Sequence, residues 1–295
     1  MTSLPANIGS FSKPVQQLWE NMNPCTLCPR GCKVYRGKGQ TGFCGIGDTP
    51  IVSSVGPHYG EESVLVGSWG SGTIFFAGCN LGCVFCQNFD ISHHRHGREM
   101  TIERLAQSML DLQDYGCSNI NFVTPTHVIP AITATLELAR EKGLKLPTVY
   151  NTGGYDSVET LKLLEGFVDI YMPDMKYFDS EVAEELSGAP DYPEVNFVAV
   201  KEMHRQVGDL QVKNGLATRG LLVRHLVLPG KLAGSFGIID FLAERISTST
   251  TINVMDQYRP CYKASSHSKI NRRPTFDEIE SVRQYANEKG LNVLL

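Results

Sequence analysis

The sequence has 295 residues, of which 42% are hydrophobic and 20% are charged, a composition typical of a globular protein with a substantial core. Its formal net charge is −4 at pH 7, so the chain as a whole does not attract phosphate backbones, and nucleic acid is not expected as a partner. No apolar run approaches the roughly 20 residues of a membrane span, and residues 1–12 lack the basic and apolar regions of a secretion signal. The sequence therefore predicts a cytoplasmic protein that does not bind membranes.

Cysteine is the unusual residue in this composition. Seven of the nine cysteines fall between Cys25 and Cys86. Because thiols stay reduced in the cytosol, short spacings there indicate metal binding rather than a disulfide framework. Residues 1–70 carry glycine, proline and cysteine with little periodicity, whereas the remainder alternates between helical and strand patterns. We therefore predict a cysteine-rich metal-binding extension over residues 1–70 and an α/β domain over residues 71–295.

The first predicted elements of the α/β domain form a strand–helix–strand unit. An apolar strand spans residues 73–77. Thr101 is placed to cap a helix whose apolar residues share one face, and Gly116 is placed to end it. A strand at residues 119–123 follows.

The same unit repeats along the rest of the chain. A capping box formed by Thr275 and Glu278 predicts the last helix. The other predicted elements are helices at 128–141, 158–165, from Pro193, and at 236–246, a hairpin turn at Asn214-Gly215, and strands at 148–151, 168–172, 221–228, 252–255 and 291–295.

This alternation predicts a parallel sheet with helical crossovers, arranged as a partial or complete barrel. An open, doubly wound sheet is the structural alternative. In both arrangements the active site lies at the carboxyl ends of the strands. The loop from Cys79 to Cys86 directly follows the strand at 73–77 and should therefore lie at that end.

This loop carries three thiols at the spacing C-x3-C-x2-C, from Cys79, Cys83 and Cys86. A ferredoxin-type site supplies four cysteines to four irons, so three thiolates leave one iron open to bind a further ligand. A structural zinc is the alternative and needs a fourth ligand, for which His93, His94 and His96 are the nearby candidates.

Residues 78–88 resemble the signature loop of radical S-adenosylmethionine (SAM) enzymes. The ending Phe85-Cys86-Gln87-Asn88 is similar to that of the proteins that activate glycyl-radical enzymes, such as pyruvate formate-lyase activating enzyme. Four further segments, at 149–155, 169–176, 224–230 and 255–260, resemble strand-end motifs of the same group. The resemblance covers about residues 73–260.

The resemblance implies a partial (β/α)6-type barrel of the radical SAM kind. It also implies a [4Fe-4S] cluster on Cys79, Cys83 and Cys86, and SAM bound to the open iron. Reductive cleavage of SAM then gives methionine and a 5′-deoxyadenosyl radical that abstracts hydrogen from a substrate, for which a glycyl-radical enzyme partner is one candidate and a small molecule or peptide another. A low-potential donor such as flavodoxin or ferredoxin would supply the electron. A non-catalytic electron carrier or metal-binding scaffold is the alternative from a different class.

The resemblance also implies a set of positions that contact SAM. Phe85 is expected against the adenine, and Asp174 and Lys176 are expected at the ribose and the carboxylate. This chain has Thr124 to His127 where many radical SAM enzymes have a Gly-Gly-Glu motif, so the hydroxyls of Thr124 and Thr126 are expected to accept those hydrogen bonds. The remaining positions are Gln87, Asn88, Asn151 and Thr152.

A second cysteine group precedes the α/β domain. Cys25, Cys28, Cys32 and Cys44 supply four thiolates at the spacing C-x2-C-x3-C-x11-C, which closes a metal site without an open position. A structural zinc and a second iron–sulfur cluster both fit four thiolates, and the spacing does not distinguish them.

Overall fold

A computed structural model describes residues 8–294. The ends of the two predicted segments, residues 1–7 and residue 295, lie outside the described residues. The helices are α1 (Lys13–Glu20), α2 (Ser63–Val66), α3 (Phe89–Ser92), α4 (Ile102–Tyr115), α5 (Ile129–Glu141), α6 (Val158–Lys162), α7 (Ser180–Ser187), α8 (Tyr192–Val207), α9 (Ser235–Arg245) and α10 (Phe276–Glu288). The strands are β1 (Ile51–His58), β2 (Ser71–Phe76), β3 (Arg98–Glu99), β4 (Ile120–Val123), β5 (Thr148–Thr152), β6 (Ile170–Pro173), β7 (Gln211–Lys213), β8 (Leu216–Leu226), β9 (Thr251–Met255) and β10 (Asn292–Leu294).

One sheet organises these strands. Its parallel part runs in the order β2-β4-β5-β6-β8-β9-β10. β1 pairs antiparallel with β2, and β3 pairs with β1. Each new parallel strand is added on the same side of the previous one, so the order contains no reversal of the kind that defines a doubly wound sheet. The predicted mixed α/β fold with a parallel sheet is confirmed, and the strand order is that of a partial barrel.

Local sequence explains where the elements begin and end. The Thr101 hydroxyl accepts a hydrogen bond from the Arg104 N–H at the start of α4, and Gly116 ends that helix in the left-handed conformation. Thr275 and Glu278 form the predicted capping box of α10. The turn between β7 and β8 contains Asn214 and Gly215, both with positive φ, which fits the predicted hairpin. These features confirm the predicted elements to within a few residues at their ends.

Three elements of the cysteine-rich segment have no counterpart in the sequence-based prediction, and one of them is the single-turn helix α2. Residues 13–20 form α1, which buries Val15, Leu18 and Trp19, and residues 51–58 form β1. An eight-residue helix shows barely two turns of periodicity, and most of β1 is only partly buried, so neither pattern stands out. The buried side chains of α1 belong to the same hydrophobic cluster as those of β2 and β4. The division at residue 70 stays a prediction.

No helix within residues 8–294 has the length and apolar character needed to cross a membrane.

Candidate functional site

The loop that follows β2 carries the three thiols of the C-x3-C-x2-C motif. It begins at Gly78, whose φ is +81°, and a Cβ on this residue would lie 2.6 Å from Ile46 Cγ1 and 2.8 Å from the Cys44 carbonyl oxygen. Glycine therefore allows the chain to turn tightly against the cysteine-rich segment. The thiols of Cys79, Cys83 and Cys86 are free and line one cavity.

Hydrogen-bond donors or hydroxyls approach each of these sulfurs. The Leu81 N–H donates to Cys79 Sγ (3.3 Å), and the Ser187 hydroxyl donates to Cys83 Sγ (2.9 Å). Cys86 Sγ lies 3.1 Å from Ser92 Oγ. Burial raises the pKa of the Cys79 thiol, and the neighbouring Cys83 adds to the rise.

The donor set fits an iron–sulfur cluster held by three cysteines, because thiolates are the usual cluster ligands and three of them face one cavity. The neighbouring hydrogen bonds would orient the sulfurs and tune a bound cluster. In the part of the chain that the structure describes, no group of three or more His, Cys, Asp or Glu side chains is arranged to hold a single metal ion.

The cavity beside the thiols has a volume of about 230 Å³. It lies at the carboxyl ends of the parallel strands, where the sequence predicts the active site. Eight of the nine predicted SAM-contact residues line it: Phe85, Gln87, Asn88, Thr124, Asn151, Thr152, Asp174 and Lys176. The Phe85 ring is nearly buried, with Tyr258 packed edge-on at a centroid distance of 5.7 Å.

Thr126 is the exception. It is buried, and its hydroxyl donates to Asp156 Oδ1 at 2.7 Å. Thr152 and Tyr150 donate to the same carboxylate, at 2.7 Å and 2.9 Å. Burial raises the pKa of Asp156 against the opposing effect of these hydroxyls. Thr126 thus lies beneath the cavity and supports Thr152, and its predicted contact with SAM stays a prediction.

Thr124 has a φ of +58°, in the left-handed region that non-glycine residues rarely occupy. Such conformations cost on the order of 1–3 kcal/mol and are concentrated at functional sites. The strained residue lines the cavity immediately after β4. Its conformation is an independent indication that this strand end has a functional role.

Asp174 and Lys176 form the charged wall of the cavity together with Arg224. Lys176 Nζ lies 2.6 Å from Asp174 Oδ2. Arg224 Nε donates to Asp174 Oδ1 (2.9 Å), and its Nη2 donates to Asn151 Oδ1 (2.7 Å). Burial opposes ionisation of Asp174, but Arg224 and Lys176 outweigh it and hold the pKa of the carboxyl below its usual value. Local sequence patterns do not show that Arg224 pairs with Asp174, because the two residues lie 50 positions apart.

The role of this charged wall can be tested with Asp174→Ala and Lys176→Ala. We expect each change to weaken SAM binding roughly ten- to a hundredfold, because a charge-assisted hydrogen bond contributes about 1.5–3 kcal/mol. Iron content should stay unchanged. Equilibrium binding of SAM to the reconstituted protein measures the effect, with Lys269→Ala in an exposed ion pair as the control. Unchanged affinity in both test variants would contradict the assignment.

The four cysteines of the second group also face one cavity. Cys25, Cys28, Cys32 and Cys44 are free and line a small cavity between the extension and the barrel. Burial raises the pKa of Cys28 and Cys44, and the other thiols of the group add to both rises. Thiolates are the ligand type of both zinc and iron–sulfur sites, and no carboxylate is among the lining residues. The four sulfurs are not spaced for a single metal ion in this structure, so the chemistry of the donors, not their geometry, fits a metal.

The two cysteine groups are neighbours in the fold. Arg30, which lies between Cys28 and Cys32 of the second group, donates from Nε to the carbonyl of Asn80 (2.9 Å) in the loop of Cys79 to Cys86. Its Nη1 donates to the Gly188 carbonyl (2.6 Å), next to Ser187, which is hydrogen-bonded to Cys83. Sequence spacing could not show this proximity, because it depends on how the extension packs against the barrel.

A buried histidine after β4 also lines the cavity of the second cysteine group. His127 is 2% exposed, and its Nε2 lies 2.8 Å from the Ala77 carbonyl oxygen. Burial lowers its pKa to about 4, so the imidazole is neutral at pH 7. Sequence spacing does not predict that His127 lies near the cysteine-rich segment, because the two are far apart in the chain.

A parallel partial barrel with three free thiols after its first parallel strand and a partly charged cavity at the strand ends is characteristic of barrel enzymes that use an iron–sulfur cluster. The family model of the radical SAM superfamily matches residues 73–230, just over half of the chain. This protein belongs to the radical SAM superfamily.

Two relatives are similar to this chain in sequence. An uncharacterized protein of Methanocaldococcus jannaschii is 36% identical over 280 residues, covering 92% of this chain and 76% of the relative. A pyruvate formate-lyase-activating enzyme of Clostridium pasteurianum is 28% identical over 141 residues, covering 44% of this chain and 56% of that enzyme. The similarity to activating enzymes is therefore partial.

Two solved structures share the fold at low sequence identity. A radical SAM methyltransferase from Sphaerobacter thermophilus superposes with a TM-score of 0.50 at 15% identity, covering 75% of this chain and 65% of that one. Streptococcus suis SuiB bound to precursor peptide SuiA gives a TM-score of 0.50 at 13% identity, covering 73% of this chain and 46% of that one. The chain thus spans less than half of SuiB and slightly less than two thirds of the methyltransferase.

Proposed function

We propose that Cys79, Cys83 and Cys86 hold a [4Fe-4S] cluster and that the adjoining cavity binds SAM, so that the protein carries out radical-initiated hydrogen abstraction. One observation carries this proposal: the three free thiols line the same cavity as the partly buried ion pair of Asp174 and Lys176. Thiols alone would suit an electron carrier. A charged, strand-end pocket beside them suits a cofactor with amino, carboxylate and ribose groups.

The protein's own residues bind and orient the cofactor. A cluster held by Cys79, Cys83 and Cys86 would pass one electron to SAM, which would be used in cleaving SAM to methionine and a carbon-centred radical. Lys176 and Asp174 offer a fixed cation and a fixed carboxylate to the polar groups of SAM, while Arg224 and Asn151 hold Asp174 in place. Phe85 gives the adenine an apolar surface. The buried side chains of the cavity wall, among them Phe85, Asn151 and Thr152, reduce the access of water to the reacting atoms.

The substrate from which hydrogen is abstracted decides which reaction the protein catalyses. The partial similarity to a pyruvate formate-lyase-activating enzyme and the Phe85-Cys86-Gln87-Asn88 ending support a glycyl-radical enzyme as one candidate partner. A small molecule or peptide is the other class. Flavodoxin or ferredoxin, as low-potential donors, would supply the electron.

The proposed activity predicts that the anaerobically reconstituted protein cleaves SAM to 5′-deoxyadenosine and methionine in equal amounts when given a low-potential reductant. The open iron of a three-thiolate cluster gives SAM a place to bind. Liquid chromatography with mass detection measures both products, and protein without reductant is the control. A protein that holds the cluster but leaves SAM intact would be an electron carrier.

We also propose that Cys25, Cys28, Cys32 and Cys44 hold a second metal centre, either zinc or an iron–sulfur cluster. The proposal is supported by four free thiols around one cavity in a segment whose own apolar core is small.

A further inference from the structure

A further cavity, distinct from that of the four cysteines and also of about 230 Å³, adjoins the proposed SAM cavity. The two share Arg224, Met255 and Gln257. Its other wall is the segment after β1, including Glu61 and Glu62. β1 flanks one side of the parallel strands, whereas β9 and β10 lie at the opposite side. The cavity therefore lies at the seam where the two ends of the curved sheet approach each other. A molecule in it would be next to the cofactor.

Two carboxylates of this wall are incompletely partnered. The Glu61 side chain is only 7% exposed and makes no hydrogen bond within residues 8–294. The nearest basic nitrogens are His58 Nδ1 at 3.5 Å and Arg224 Nη1 at 3.9 Å, of which only the guanidinium carries a permanent charge. Glu62 Oε1 accepts a hydrogen bond from Asn253 Nδ2 (2.9 Å), but its Oε2 is buried without a partner among the described residues.

Buried carboxylate oxygens without donors are unfavourable, so this pattern indicates that a donor binds there. Arg224 does not meet the need, because its Nε and Nη2 are committed to Asp174 and Asn151. The other lining side chains, such as Ser63, Asn253 and Gln257, are neutral. Glu61 and Glu62 thus line the cavity with Arg224 as the one cation among its lining residues, and two of the Arg224 nitrogens already donate to Asp174 and Asn151.

We infer that this cavity recognises a cationic nitrogen of the substrate, an ammonium or guanidinium group, through Glu61 and Glu62. The inference rests on the proposed radical SAM function and adds the substrate's chemical class. The cation would anchor the substrate at the seam and place a neighbouring C–H bond toward the SAM cavity. An anionic group would meet two carboxylates and be repelled.

The test compares small probes that differ in charge. The reconstituted protein with SAM is titrated with n-butylammonium and n-butylguanidinium, and with 1-butanol and butyrate, and binding is followed by saturation-transfer NMR. We expect at least one cation to bind at least tenfold more tightly than butanol, and butyrate not to bind. In Glu61→Gln and Glu62→Gln, this preference should fall at least tenfold, whereas Glu141→Gln, at the exposed end of α5, should retain it.

Glutamine at position 62 keeps an oxygen that can accept the Asn253 hydrogen bond, so Glu62→Gln should fold, which a melting curve checks. Absence of cation binding, equal binding of butanol, or an unchanged preference in both glutamine variants would overturn the inference. SAM cleavage is measured in parallel on the unmodified protein. If SAM is not cleaved, the proposed function fails. If SAM is cleaved but no cation is preferred, only the substrate class fails.

Discussion

Replacing Cys79, Cys83 and Cys86 together with alanine should abolish SAM cleavage and remove about four irons per chain, the content of one cubane cluster. The three sulfurs are the only thiols that line the proposed SAM cavity among residues 8–294. Without them no iron is held next to Asp174 and Lys176, so an electron cannot reach bound SAM. Iron analysis and product formation measure the two losses independently.

A matched control is Cys117→Ala, which removes a buried thiol. Cys117 precedes β4 and therefore lies on the amino-terminal side of the sheet, away from the carboxyl ends where the proposed SAM cavity lies. This variant should keep its full iron content and its activity, although packing is slightly reduced. Sustained SAM cleavage by the triple variant would refute the assignment of the cluster to this loop. Equal loss in the triple variant and in Cys117→Ala would point to a general folding defect instead.

Cys28→Ala should remove the second metal centre and destabilise the cysteine-rich segment. A closed four-thiolate site contributes directly to folding, so we expect a fall in melting temperature of at least about 5 °C. Elemental analysis identifies what is lost. Loss of about one zinc with about four irons retained identifies a zinc site, whereas a fall from about eight irons to about four identifies a second cluster.

Cys261→Ala is the control for this change, because Cys261 is a partly buried thiol outside both cysteine groups. Its metal content should match that of the unmodified protein. Because Arg30 connects the second cysteine group to the loop of Cys79 to Cys86 and to the neighbouring Gly188, we also expect Cys28→Ala to reduce SAM cleavage. Unmodified protein with about four irons, no zinc and four freely alkylated thiols at these positions would contradict a second metal centre of either kind.

Most of the candidate site could be predicted because its residues lie directly after strands. In a parallel sheet all carboxyl ends meet at one edge, so Thr124, Thr152 and Asp174 had to lie near the loop that follows β2. The direction of a side chain is harder to predict. Thr126 lies two residues beyond Thr124, yet it hydrogen-bonds with the buried Asp156 below the cavity. The different directions of the two side chains accompany the left-handed backbone conformation of Thr124, which threonine rarely adopts and which its residue type therefore does not predict.

The sequence by itself determined the alternation of helices and strands, the capped starts of α4 and α10, and the three-thiol loop after β2, because these depend on interactions between residues close in the chain. Only the tertiary structure decided which distant groups meet. Asp174 and Arg224 pair because β6 and β8 are adjacent parallel strands in a register that ends with these two residues side by side. Glu61 and Glu62 line the cavity next to the proposed SAM cavity because the segment after β1 crosses the seam of the sheet. Such contacts depend on strand order, register and packing across the whole fold, so local sequence patterns carry little information about them.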